Sequence, residues 1–514
     1  MSKPHIPERR DFLSGIAAVG LLGLTGCGSS GSESTDEIMT ADAMGGMGRG
    51  TVTPPATGGA LRLPASFSGS TLTAAPGAYN LGSGARSGAL LYNGQWPSPL
   101  IRLASGSTLD ITLQNQLLEA TNIHWHGLAA APGMDGHPTE VVAPGASQRY
   151  NFAVNERPGI YWYHPHPDGA TARQAYSGLA GMLILDDGKD AARGLPTGSR
   201  DIPLVLADKR VSNGVMIYQP TTMDIMTGWL GNVMTVNGTA GPVTTSVEPA
   251  VIRLRLLNAS NARILNPALA NGRSFWLIGT DGGLLPAPIA VTSLLLAPGE
   301  RADVLLDLRS MAGQTVKLVS AAFGSTGSGM MGSGMMSSAP AQGTAFDLLT
   351  FTVSSAPAIH AGTIPVSFDP IARYDSTAAS VSRVFELTSM SGMTGMTGMT
   401  GMSGALHQIN GLVYEASRID FLVRRGELER WQFINHAMEP HPMHVHGTQF
   451  QVLSRDLVAT RRLATDQGWK DTVLVRPSES VEIALRFSTS SNYVLHCHNL
   501  EHEDNGMMLN FNVV

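Results

Sequence analysis

Cysteine is nearly absent from this chain: its 514 residues hold two, Cys27 and Cys497. One sits in the leader described below and the other stands alone, so no disulfide framework is available. Charge is scarce as well. Charged residues make up 14% of the chain and the net charge is −6, which leaves no basic footprint and argues against nucleic acid as a partner. Long apolar runs are also missing. The longest near the start, residues 16–24, is too short to span a bilayer comfortably, and later runs are broken by Gly, Pro and Asn. What is abundant is apolar residues, at 43%, and glycine, at 58 residues. That mixture suits many short strands and turns better than long helices, and the length suits about three domains.

The first residues read as an address. Arg9-Arg10-Asp11-Phe12-Leu13 places a twin arginine ahead of the short apolar run, which ends in Leu24-Thr25-Gly26-Cys27. That ending resembles the lipobox of bacterial lipoproteins, in which the Cys becomes lipidated. Residues 1–27 are therefore expected to be a twin-arginine lipoprotein signal with Cys27 as the lipidation site. Export to the periplasm or cell envelope would follow, with the lipid as the only membrane contact. An ordinary signal peptide with an incidental Cys is the alternative. Residues 28–57 are rich in Gly, Ser and Thr and read as a flexible tether.

Three blocks follow, 58–190, 198–355 and 380–514, each sized for a β-sandwich and joined by segments rich in Gly, Ala, Pro and Ser. Strand-like runs include 109–113, 181–185, 251–257 and 302–308. Two low-complexity patches interrupt them, GSGMMGSGMMS at 327–337 and SMSGMTGMTGMTGMSG at 389–404. In the second, Met390, Met393, Met396, Met399 and Met402 recur at every third position, a period that fits neither a buried strand nor a helical face.

Eight of the 15 histidines fall into four His-x-His pairs: His124/His126, His164/His166, His444/His446 and His496/His498. Random placement would give well under one pair. In an extended segment each pair puts two imidazoles on one face, and imidazole is a favoured ligand for copper, zinc and iron. In HCHNLEHEDNGMM at 496–508 that parity sends His496 and His498 to one side and Cys497 to the other. The absence of carboxylates from the pairs disfavours magnesium, calcium and the two-His-one-carboxylate iron site. A Cys with two His and an axial Met is the blue-copper ligand set; Cys497, His502, Met507 and His441 supply it, whereas zinc would bring no redox chemistry.

HWHG at 124–127, HPH at 164–166, HPMHVHG at 441–447 and HCHNLEHEDNGM at 496–507 together resemble the copper signatures of three-domain multicopper oxidases. The likeness also covers LYNGQWPSPLIRL at 91–103, DGGLLPAP, and LAPGERADVLLD in the middle block. It implies an all-β fold of three cupredoxin-like Greek-key β-sandwiches with four copper ions. A type 1 copper would take His441, Cys497, His502 and Met507. A type 2 copper would take His124 and His444. The type 3 pair would take His126, His164, His166, His446, His496 and His498.

The resemblance further implies four one-electron oxidations coupled to reduction of dioxygen to water, with Cys497 passing electrons to its two His neighbours. Glu503 and Asp135 match acids thought to deliver protons in bacterial copper-efflux relatives. The plainer readings are a solvated acidic run, 501–504, and a turn residue before Gly136. The Met run falls where those relatives carry a Met-rich insert, and soft thioethers suit Cu(I). It lacks their interspersed His and Asp, however, and Met438 and Glu439 point only weakly to an electron entry point. Cu(I) oxidation in copper tolerance is the leading expectation, with phenols as further substrates. A laccase or bilirubin-oxidase type enzyme for phenols, aromatic amines or tetrapyrroles is the rival, and a copper-sequestering protein without turnover is a third reading. The chain is expected to be monomeric.

Overall fold

The computed structural model describes residues 58–81, 85–324, 339–360, 364–389 and 407–514. Cys27, the leader, the tether and both Met-rich patches, apart from Ser389, lie outside them. Strands dominate, because alternating apolar residues can bury one face while Gly and Asn provide the turns. The runs expected at 109–113, 181–185, 251–257 and 302–308 form Thr108–Asn115, Gly181–Asp186, Val251–Asn258 and Arg301–Asp307.

Three sandwiches result, each with its own apolar core. The first pairs a sheet ordered Ser87–Tyr92, Thr71–Tyr79, Thr108–Asn115, Ser147–Ala153 with one ordered Ile101–Ala104, Gly181–Asp186, Gly159–His164, His124–His126. Leu72, Leu109, Trp125, Tyr150 and Leu183 fill the space between them. The middle sandwich packs a five-stranded sheet on a seven-stranded one around residues such as Leu204, Leu254, Val304 and Phe351. Its five-stranded sheet takes Gly59–Ala60 as an edge strand, parallel to Val243–Val247. The chain thus touches the middle sandwich before building the first, a crossing that sequence spacing could not reveal.

The third sandwich has two five-stranded sheets. Its core is aromatic: Trp431 stacks obliquely against Phe385 at 5.0 Å and meets Phe421 and Phe511 edge-on at 5.6 Å each. Such contacts add about 0.5–1.5 kcal/mol apiece beyond simple burial. This rigid core carries Cys497 and Met507 as members.

Candidate metal centres

Strand register gathers the histidines. In the first sandwich His124 lies opposite His164. In the third, His444 lies opposite His496 and Met443 opposite Cys497. Alternation then sends His444 and His496 out of the sandwich while Met443 and Cys497 face its core, as the tripeptide parity predicts. His441, two residues from Met443, falls on the Cys497 side. The outward faces of the two sandwiches meet, and all eight paired histidines are fully or almost fully buried between them.

Their ring nitrogens converge. His124 Nε2 lies 3.3 Å from His444 Nε2, and His496 Nε2 lies 3.1 Å from His446 Nε2 and 3.2 Å from His166 Nε2. His126, His164 and His498 form a further group. Burial is the main force on six of these rings, pushing the pKa values of His124, His126, His166, His444, His446 and His498 well below the ordinary histidine value. Outer nitrogens are already committed: Nδ1 of His124 donates to Asp135 O at 2.8 Å, His164 to Pro165 O at 2.9 Å, His444 to Asp471 O at 2.8 Å, and His496 to Cys497 O at 3.1 Å. His126 is reversed, with Nε2 donating to Asp471 Oδ1 at 3.0 Å.

Both predicted acids lie at this group. Asp135 Oδ2 accepts from His446 Nδ1 at 2.7 Å, and burial followed by the charge of Glu140 pushes the Asp135 carboxyl well above the usual range. It is no solvent-facing turn residue. Gly136 beside it has φ +78°, and a Cβ there would lie 2.2 Å from Ile123 O, so only glycine lets this loop close under His124. Glu503 lies 3.5 Å from His166 Nδ1 and 3.1 Å from His496 Nδ1. Nor is the run 501–504 solvated. Glu501 and Glu503 are buried, Glu501 accepts from Asn261, Trp229 N and Tyr218, and Asp504 accepts from the Thr171 and Ala172 amides.

On the other side of the tripeptide, Cys497 Sγ lies 3.4 Å from His441 Nδ1 and 3.7 Å from His502 Nδ1, which are themselves 3.2 Å apart. Met507 is fully buried, and its carbonyl accepts from Cys497 N at 3.0 Å. The Asn499 amide donates to Cys497 Sγ at 3.4 Å. His502 Nε2 meets Met226 O at 3.1 Å, on the short helix Thr222–Thr227 of the middle sandwich.

The donor set fits copper. Ring nitrogens face one another at 3.1–3.3 Å, and where the outer nitrogen donates outward the inner one carries a lone pair, so the arrangement repels unless a cation lies between. A first-row ion with metal–nitrogen bonds of about 2.0–2.1 Å places tetrahedral nitrogens about 3.3 Å apart. His126 Nδ1, His164 Nε2 and both nitrogens of His498 are buried without a protein partner. Burial pushes the Cys497 thiol upward, so a thiolate here also requires a cation.

Residues 74–190 and 379–514 each match a multicopper oxidase domain family. The chain is 33% identical over 426 residues to the multicopper oxidase mco of Staphylococcus haemolyticus, covering 82% of this chain and 83% of that protein. It is 34% identical over 390 residues to the cell division protein FtsP of Xenorhabdus nematophila, covering 74% and 76%. A solved structure, the laccase-like multi-copper oxidase CueO of Ochrobactrum sp., matches with a TM-score of 0.78 and 32% identity over 88% of this chain and all of that one. The chain belongs to the multicopper oxidase family and is an oxidoreductase with copper as its cofactor.

Residues without a motif partner escaped the sequence reading. His407 stacks on His502 with ring centroids 3.8 Å apart. It lies with His441 and His502 in one group of buried histidines, but its nitrogens are already engaged by Ser389 Oγ at 3.0 Å and Ile225 O at 3.1 Å. Asp471 and Arg301 are the others. LAPGERADVLLD contains Arg301, but nothing in that string announces its link through Asp471 to His126.

Proposed function

We propose that this chain oxidises Cu(I), and phenolic molecules as further substrates, at the Cys497 centre, and that four such electrons with four protons reduce one dioxygen to two waters at the eight-histidine centre. The observation that carries the reading is the tripeptide 496–498, whose middle residue faces one donor set while its neighbours face the other. Copper bound at these residues, as one type 1, one type 2 and a type 3 pair, supplies the one-electron redox chemistry and the place of dioxygen reduction.

The chain's own groups do the rest. Cys497, His441, His502 and Met507 form the electron entry, and the backbone from Cys497 to His496 and His498 is the covalent route onward. Asp135 holds a proton on its raised carboxyl beside His446 Nδ1, and Glu503 hands protons on between His166 and His496. The buried walls exclude bulk water from both centres.

Support for Cu(I) comes from the entry side. Helix Thr222–Thr227 covers the His502 edge through Met226 O, Met223 on the same helix is 53% exposed, and Met438 is 58% exposed three residues before His441. Soft thioethers beside a covered imidazole suit a small soft ion. The laccase-type reading draws on the Ochrobactrum enzyme, described as oxidising lignin model compounds and lignosulfonate. A relative named for cell division means that descent alone does not decide turnover; the complete donor set argues against mere sequestration. Oxygen consumption by the copper-loaded chain, compared for Cu(I), a phenol and bilirubin, tests all three: preference for Cu(I) supports the proposal, preference for organic substrates favours the rival, and no consumption leaves sequestration. Twin-arginine export, a lipid anchor at Cys27 and a monomeric state in the periplasm or cell envelope complete the proposal. A Cys27→Ala chain released from the membrane fraction would support the anchor.

A further inference from the structure

Among its described residues the middle sandwich supplies no donor to either centre, yet its Arg301 reaches the eight-histidine group through Asp471. Arg301 is fully buried and spends all five of its N–H groups. Nε donates to Ile160 O at 3.0 Å, and Nη1 and Nη2 donate to Gly299 O and Asp281 O at 2.9 and 3.1 Å. The remaining two form a fork on Asp471, at 2.6 Å to Oδ1 and 2.5 Å to Oδ2. Asp471 Oδ1 in turn accepts from Thr472 Oγ1 at 3.0 Å and from His126 Nε2. Burial alone would raise the Asp471 carboxyl; Arg301 outweighs it and keeps the net direction downward.

We propose that Arg301 is a positioning residue for the eight-histidine centre, locking Asp471 so that the carboxylate holds His126 with Nδ1, not Nε2, turned to the metal. The proposal rests on the copper reading of that centre. His126 is where such a lock is needed, because His124, His164, His444, His446 and His496 all direct Nδ1 outward to an acceptor while His126 does the reverse. A free imidazole chooses either tautomer readily; a charge-assisted acceptor on Nε2 removes the choice. Room for the lock is built into the sequence: a Cβ on Gly127, directly after His126, would lie 2.6 Å from Asp471 Oδ2 and 3.0 Å from Arg301 Nη2. A guanidinium fork fixes both carboxylate oxygens at once, which a lysine ammonium cannot do.

The test is resistance of the loaded centre to a chelator. Copper-loaded wild type, Arg301→Met, Arg301→Lys, Asp471→Asn and Lys470→Met are challenged with EDTA, and copper content is followed with the near-ultraviolet absorption and electron paramagnetic resonance of the eight-histidine centre. The blue absorption of the Cys497 centre serves as internal reference. Lys470 is the control, since it pairs with Asp281 at 2.9 Å and Glu300 at 3.0 Å in the same buried network without touching a histidine. Arg301→Met and Asp471→Asn should weaken copper retention at the eight-histidine centre by about 10- to 100-fold, the usual cost of losing an outer partner of a ligand. Arg301→Lys should fall between, the blue centre should persist, and Lys470→Met should retain copper even where it lowers the melting temperature. Should Arg301→Met fail to fold, the isosteric Asp471→Asn decides. Wild-type retention in both variants, or an equal loss in Lys470→Met, overturns the proposal. A wild-type chain that takes up no copper at the histidines overturns the functional reading and this one with it, whereas any substrate preference leaves this one standing.

Discussion

Replacing Glu503 by Gln tests the proton route most directly. The change keeps the shape of the side chain and removes its ability to accept and release a proton. In the structure the carboxylate sits 3.5 Å from His166 Nδ1 and 3.1 Å from His496 Nδ1, buried and away from Cys497 Sγ in the other donor set. Loss of a positioned proton carrier costs about 10²–10⁴-fold in rate, equivalent to about 3–5 kcal/mol on the barrier. Two measurements separate chemistry from occupancy. Anaerobic reduction of the blue centre by substrate should run at the wild-type rate, since no proton from Glu503 enters that step. Reoxidation by dioxygen should slow by the full factor, with copper content equal to wild type. Glu503 also orients two ligand histidines, so some copper loss would itself slow turnover. Rates are therefore expressed per loaded centre. Unchanged reoxidation across pH, at full copper content, would refute the argument and return Glu503 to an orienting role.

Cys497→Ser should abolish the blue absorption and substrate oxidation while the eight-histidine centre still binds copper, because a hydroxyl is a harder and weaker ligand than thiolate; a blue, active variant would refute the assignment. Deleting residues 390–404 should lower kcat/KM for Cu(I) several-fold, leave or raise it for bulky phenols, and barely shift the melting temperature. Equal losses on both substrates would show that the segment only supports the fold. Deletion stops short of Ser389, whose Oγ meets His407. His137 gives a pH prediction. Burial, only partly offset by its hydrogen bond to Asn510, lowers its pKa from 6.5 to about 4, so the folded chain keeps it neutral where the unfolded chain takes up a proton. Stability is thus complete above about pH 6.5 and is lost as pH falls toward 4, by about 3 kcal/mol from this residue. In His137→Gln the melting temperature should depend less steeply on pH over that interval; an unchanged slope would refute it.

The gathering of the paired histidines, and the opposite facing of Cys497, were legible in the sequence because strand alternation converts spacing into facing. A pair two apart must share a side, and a Cys between two His must oppose them, whatever the rest of the chain does. The sandwiches were legible for a related reason: short alternating runs between Gly and Asn turns have few ways to bury their apolar face. Residues that act through long-range contact were not. His407, Asp471 and Arg301 carry no spacing signal, since His407 and Asp471 meet their histidines through space rather than along the chain, and Arg301 meets one only through Asp471. Gly59–Ala60 joined the middle sheet for the same kind of reason, because edge pairing is chosen by what lies nearby in space.

That division bears on how the centres are built. A His-x-His pair alone is cheap to place but loose: its rings can rotate, and each can present either nitrogen. What narrows those choices is the surrounding shell of partners, and it is drawn from all three sandwiches: Asp135 and Pro165 of the first accept, Asp471 of the third accepts, and Arg301 of the middle donates to Asp471. Helix Thr222–Thr227 does the same for the Cys497 centre through Met226 O on His502. The middle sandwich, which offers no metal donor among its described residues, therefore reaches both centres. If its task were only to space its neighbours, a fully spent, fully buried guanidinium would be an expensive way to do so, since a buried pair costs several kcal/mol to desolvate and apolar packing would serve as well. The orientation proposed for His126 gives such a group a task at that point.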